Sequence, residues 1–262
     1  MKRFLFIAFF ILNIFLAFSF DFENLDNLHD NGKYVETLGI LQDKLDKASP
    51  DAQIIWRIGR EIYYITKNIK DRKQKLSKFE EGLEFLKSYY NFNSSDIRGN
   101  AKIIHWYAIL SSEKASTKGI KESLDNIPDL FKYCDDAIKV DQNYGDPYYL
   151  KAMIDDGLPT LFGGDKFRMS ENLTKALVLD GENYWFLVDG AKAFINRGWD
   201  VKKKASLSAK KGKNDGSPQD KSDKEYAKIL LTKALDLFAK DINQTMLEKE
   251  KIEEGKKLLE KL

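Results

Sequence analysis

Cysteine occurs once, at Cys134, and histidine only at His29 and His105. An internal disulfide is therefore excluded, and the fold must be held by packing. One thiol and two imidazoles cannot supply the usual zinc ligand sets, so no metal site is expected. Proline is confined to positions 50, 128, 147, 159 and 218, each at a helix boundary or loop. No excess of either charge exists: 43 Lys and Arg face 41 Asp and Glu, a formal +2, which gives no argument for nucleic acid. Runs alternating apolar with polar residues are absent too, which removes half-buried strands. There is no Gly-x-Ser-x-Gly elbow, and with so few histidines a Ser-His-Asp arrangement has little to draw on. No catalytic residue, cofactor or enzymatic activity is expected.

The one long hydrophobic run is the beginning, MKRFLFIAFFILNIFLAFSF. Lys2 and Arg3 precede an apolar stretch from Phe4 to Phe18 interrupted by Asn13. Residues 1–20 read as a signal peptide or an N-terminal membrane anchor through residues 4–20, with Ala17 and Ser19 suited to cleavage after Ser19. The body is then exported: periplasmic, or anchored in the inner membrane and facing the periplasm. No cysteine follows to carry a lipid anchor.

Residues 21–262 show apolar positions at helical spacing, as in Leu38, Leu41 and Leu45, or Tyr226, Leu230, Ala234 and Leu237. A phrase recurs within them. CDDAIKVDQNY at 134–144, LTKALVLDGENY at 173–184 and LLTKALDL at 230–237 repeat one pattern, in which a large residue sits four after a smaller one and three before another. Ala227, Leu231 and Ala234 have it, as do Met169, Leu173 and Ala176, then Leu130, Cys134 and Ala137, then Gly82, Leu86 and Tyr89. Thr37, Leu41 and Lys44 form a weaker first copy. The small positions let a neighbouring helix approach, and the large one fills the groove between them. A turn follows each run, at 48–51, 92–96, 141–147 and 180–183, and an aromatic soon after opens the next helix.

This alternation resembles the tetratricopeptide repeat, whose helix pairs of about 34 residues stack into a superhelix. NGKYVETLGILQDKLDKASPDAQIIWRIGREIYY at 31–64 is the best copy. The expected fold is all-α: a right-handed superhelical stack of about five degenerate hairpins, each needing its neighbours to cover its apolar face. EKEKIEEGKKLLEKL, with Ile252, Gly255, Leu259 and Leu262 on one side, is expected to be a C-terminal capping helix. Ala137 and Ala176 are 39 residues apart but Ala176 and Ala234 are 58 apart, so the polar stretch 206–223 is expected to be a disordered insertion.

WRIGREIYYI at 56–65, HWYAIL at 105–110 and LPTLFGGDK at 158–166 stand in an order that resembles two related groups. One is the regulator of microtubule dynamics family; the other is the T component of periplasmic TRAP transporters. The LFGGD loop followed by a helix ending KALVLD carries most of the likeness. The resemblance implies a helical scaffold, and its periplasmic branch implies a TRAP-type substrate-binding subunit as partner.

Candidate site residues are mostly aromatic. Trp56, Tyr63, Trp106, Tyr107, Tyr149 and Trp185 fall on the first helices of successive hairpins. They either form core between hairpins or line a groove for a partner or an apolar ligand. Arg57 and Arg60, a turn apart, either face an acidic partner or pair with neighbouring helices. Gly163 and Gly164 suit a tight turn, with Asp165 capping the helix behind it; no Lys-Ser/Thr follows to make a phosphate loop. His105 reads as a packed histidine bonded to a neighbour, His29 as an exposed helix end, and Cys134 as a core filler. Asp135–Asp136 and Asp155–Asp156 read as solvated charge, and the lysines at 202–204 and 210–213 as a solvated loop. Two functions are weighed: a non-enzymatic protein-interaction scaffold of the bacterial envelope, and a periplasmic carrier of a hydrophobic small ligand held between hairpins.

Overall fold

The computed structural model describes residues 21–262, and the leader expected at 1–20 lies outside the described residues. Thirteen α-helices and one short 3-10 turn make up the described chain, with no strand among the described residues. They pair as antiparallel hairpins. The first is α1 (Phe22–Asp30) with α2 (Tyr34–Lys44), and the second α3 (Ala52–Lys67) with α4 (Arg72–Lys87). In the third, α5 (Ile97–Lys118) packs on α7 (Ile127–Val140), with the short α6 (Ile120–Asp125) in their connection. The fourth joins α8 (Asp146–Gly157) to α9 (Lys166–Leu179) through the 3-10 turn Thr160–Phe162. The fifth joins α10 (Tyr184–Arg197) to α12 (Asp223–Lys240), with α11 (Val201–Lys211) between them; α13 (Met246–Leu259) closes the stack against α10 and α12.

The repeated phrase is the packing face. Met169, Leu173 and Ala176, then Leu130, Cys134 and Ala137, then Ala227, Leu231 and Ala234 are all buried. The weaker copies fail only at their last position, where Tyr89 is partly covered and Lys44 is exposed. Small residues are needed here for close approach. A Cβ on Gly82 of α4 would come within 2.8 Å of Ile62 Cγ2 and 2.9 Å of Leu110 Cδ1, side chains of the two first helices it packs between. The apolar side chains gather into two clusters, one centred on α3 and the other on α10. Ile252 and Gly255 of α13 are buried and Leu259 packs on the second cluster, so this helix caps the stack as its apolar face implies.

Aspartate starts six of these thirteen helices. Asp21, Asp51, Asp71, Asp96, Asp165 and Asp200 each accept a hydrogen bond from a backbone N–H of the first turn, groups the helix itself leaves unpaired. Ser222 with Glu225 and Thr245 with Glu248 form reciprocal capping boxes at the last two long helices.

The stretch 206–223, expected to be a disordered insertion, is ordered instead. Its first residues belong to α11, and the rest folds back over the buried Arg197 guanidinium. Arg197 donates from Nε and Nη2 to both oxygens of Asp223 at 2.6 Å and from Nη1 to Asp215 at 2.5 Å. Lys204, also buried, reaches Asp223 at 2.9 Å and the carbonyl of Lys221 at 2.9 Å. Polar composition signals solvation only while the charges lack fixed partners inside the protein. Two further expectations fail for the same reason. His29 is 5% exposed and bonds Glu61 through Nδ1 at 2.8 Å, and Asp155 is buried under a two-pronged contact from Arg168.

Candidate functional site

The first helices of four successive hairpins, α3, α5, α8 and α10, surround a groove of about 340 Å³. Of the expected residues, Tyr63, Trp106, Tyr149 and Trp185 line it together, one from each helix. Tyr63 and Trp106 meet with ring centroids 5.7 Å apart, and Tyr149 stacks on Phe186 at 4.8 Å, so the walls are ring against ring. The tyrosine hydroxyls bond to residues outside the groove lining. Tyr149 Oη donates to Asp189 at 2.6 Å, Asp189 pairs with Lys251 at 2.9 Å, and Lys67 Nζ lies 3.0 Å from Tyr63 Oη. Burial, then the Asp189 carboxylate, hold the Tyr149 hydroxyl well above its usual range, so it stays a neutral donor.

Residues not expected in the groove also line it, among them Tyr64, His105, Ile109 and Phe186. His105 is 7% exposed and lines the groove with no hydrogen-bond partner on Nδ1 among the described residues. His105 is packed as expected, but Nδ1 does not make the bond to a neighbour that was expected of the ring. Burial lowers its pKa below 6.5, partly offset by Asp146 and reinforced by Lys102, so the ring is neutral near pH 7. The signal for the missed residues was weak: Tyr64, His105 and Phe186 each sit directly before or after a predicted aromatic, and Ile109 is an aliphatic residue within an apolar helix.

The other predicted residues lie elsewhere. Tyr107 follows Trp106 by one position and so points about 100° away on the helix. It packs edge-on against Tyr90, in the turn after α4, and Tyr133 of α7, 5.2 and 5.1 Å away. Trp56 is buried beneath cations, with Arg57, Arg60 and Lys102 at 4.2, 5.1 and 4.3 Å from its ring. Arg57 and Arg60 are occupied: Arg57 grips both oxygens of Asp26 at 3.0 and 2.6 Å, and Arg60 reaches Asp26 and Glu61 at 2.8 Å. These charges fasten α1 to α3. They also hold the Asp26 carboxyl below its usual range against the opposing effect of burial.

The glycine loop adopts the expected geometry. Gly163 has φ +92°, in the left-handed region, and a Cβ on Gly164 would fall 2.0 Å from the Leu158 carbonyl oxygen. Asp165 accepts from the N–H groups of Phe167 and Arg168 at 2.8 and 3.1 Å. This loop stands at the end of the α8–α9 hairpin and is not part of the groove wall. Cys134 is buried in its repeat slot, and burial pushes its thiol up to about 12. Among the described residues no cluster of His, Cys, Asp or Glu is arranged to hold a metal ion.

Comparison with curated proteins returns no match to this chain. Of the two groups that the sequence resembles, one is matched directly: the family model described as Regulator of microtubule dynamics protein 1-3 covers residues 21–153, just over half of the chain, from α1 into α8, and the chain belongs to that family.

Proposed function

We propose that this protein is a non-enzymatic interaction scaffold whose aromatic groove grips an apolar segment of another protein. The observation that carries the reading is the convergence of Tyr63, Trp106, Tyr149 and Trp185, from four successive first helices, on one groove. Rigid aromatic walls lose little conformational freedom on binding, and apolar anchors of a helix or extended segment fit such clefts. The apolar leader at residues 1–20 supports an exported protein, working in the periplasm or tethered at the inner membrane. The partner is then an envelope protein, and by the sequence resemblance a TRAP-type substrate-binding subunit. That last step rests on the resemblance alone.

A second reading has its own support. A groove of about 340 Å³ is at the small end of ligand pockets, and its ring-lined walls suit an apolar molecule. This is the carrier of a hydrophobic small molecule. A photo-crosslinking residue at Ile109, in intact cells, separates the two. A scaffold gives one discrete crosslinked protein that disappears in Trp106→Ala and Trp185→Ala variants with native circular dichroism. A carrier gives no such product and a large rise in Tm with long-chain amphiphiles, an outcome that would replace the first reading with the second.

A further inference from the structure

We propose that the turn Thr160–Phe162 and the lysine face of α11 form one surface that docks on an anionic lipid membrane. Both lie in connections from the first to the second helix of a hairpin, α8 to α9 and α10 to α12. In a stack of antiparallel hairpins, such connections share one edge. Here they touch: Lys211 Nζ lies 3.4 Å from Asp165 Oδ2 and 4.5 Å from the centre of the Phe167 ring. Gly163, Lys203, Leu207 and Lys211 line the cleft between them.

The turn holds apolar side chains out into water. Leu161 is 88% exposed and Phe162 53%. Their backbone is fixed, because Phe162 and Gly164 both donate to the Pro159 carbonyl, at 2.9 and 3.2 Å, and Gly163 turns the chain directly into the capped α9. Two large apolar groups held out by a braced turn gain nothing from water. Beside them α11 exposes Lys202, Lys203, Lys210 and Lys211, and of these Lys202, Lys203 and Lys210 make no ion pair among the described residues. Of the acidic groups nearby, Asp215 and Asp223 are spent inside on Arg197, Asp200 caps α11 through the Lys203 N–H, and Asp220 pairs with Lys221. Apolar knobs flanked by unpaired ammonium groups match the boundary of an anionic bilayer, where the knobs enter below the headgroups and the lysines meet phosphate. An acidic polypeptide would engage the lysines but has no use for Leu161 and Phe162.

The test uses the full chain with Leu161→Cys carrying an environment-sensitive fluorophore; Cys134 is buried and stays unlabelled in the folded protein. The label reports only its own surroundings, so attachment of a vesicle to any other part of the chain produces no signal. With phosphatidylcholine vesicles containing phosphatidylserine, the emission shifts to the blue and the shift is reversed by high salt. Phosphatidylcholine alone gives none. Each lysine at an anionic surface is worth roughly fivefold in partitioning, so Lys202→Glu, Lys203→Glu and Lys210→Glu together weaken the response by at least about tenfold. A label at Val178, also exposed, stays unchanged. The proposal fails if the Leu161 position shows no shift, if both vesicle types or the Val178 label respond equally, or if polyglutamate and not vesicles produces the change.

Discussion

Arg197 and Asp223 face each other as parallel forks, Nε to Oδ2 and Nη2 to Oδ1 at 2.6 Å each, with neither side chain exposed to solvent. The pair ties the end of α10 to the start of α12 and so closes the long connection around itself. Removing one partner from a buried pair leaves the other charge stranded, which costs about 3–5 kcal/mol. Asp223→Asn is therefore expected to lower unfolding stability by about that amount in urea titrations. It should also open residues 206–222 to limited proteolysis before the rest of the chain. Asp220→Asn, at an exposed position of the same connection, should leave the midpoint where it is.

This connection marks the boundary of what could be read from sequence. The repeat face was legible because each of its residues is set by its own helix period: Leu173 is buried for reasons visible within 169–176. The Asp165 cap was legible because a cap acts on groups two and three residues away. The Arg197 network was not, since Asp223 lies 26 residues from Arg197 and only the folded chain makes them neighbours. His29 was misread likewise, its partner Glu61 being 32 residues away. The groove was half legible. Aromatics on each first helix pointed to it, but which of them share the phase needs the geometry, and so Trp56 and Tyr107 were included while Tyr64 and His105 were not.

The repeat slots should respond to truncation by position, not by residue type. Leu173→Ala and Leu231→Ala, both in fully buried slots, should each lose about 2–5 kcal/mol, because each leaves a cavity between two hairpins. Lys44→Ala, at the equivalent end of the weakest copy, should be neutral. Gly82→Ala tests the opposite error. Its added methyl meets the β-branched Ile62 at 2.8 Å, so overpacking of about 1–3 kcal/mol should outweigh the helix-propensity gain of about 1 kcal/mol. Chemical denaturation of the variants checks all of these.

Cys134 provides a kinetic probe of the stack. Burial raises its thiol to about 12, and it occupies the large slot of α7. A disulfide reagent at mildly alkaline pH should therefore leave the native protein unmodified and label it fully in denaturant. Labelling under native conditions should follow the rate at which the third hairpin opens. Fast stoichiometric labelling of the native chain would contradict the packing described for α7.

His105 predicts how acid acts on the fold. Burial lowers its pKa below 6.5, the Asp146 carboxylate opposes the shift, and Lys102 adds to it; the Tyr144 ring, 5.5 Å away, offers no charge. The unfolded chain therefore takes up this proton before the folded one does. The contribution is fully present above 6.5 and is lost as the pH falls below that value toward the lowered folded one. Stability measured by urea titration should accordingly drop below 6.5 with an excess uptake of up to one proton on unfolding. His105→Gln should remove that slope while keeping a polar group on the groove wall. A slope that survives the substitution would assign the acid sensitivity to the carboxylates and leave the neutral imidazole without a role in it.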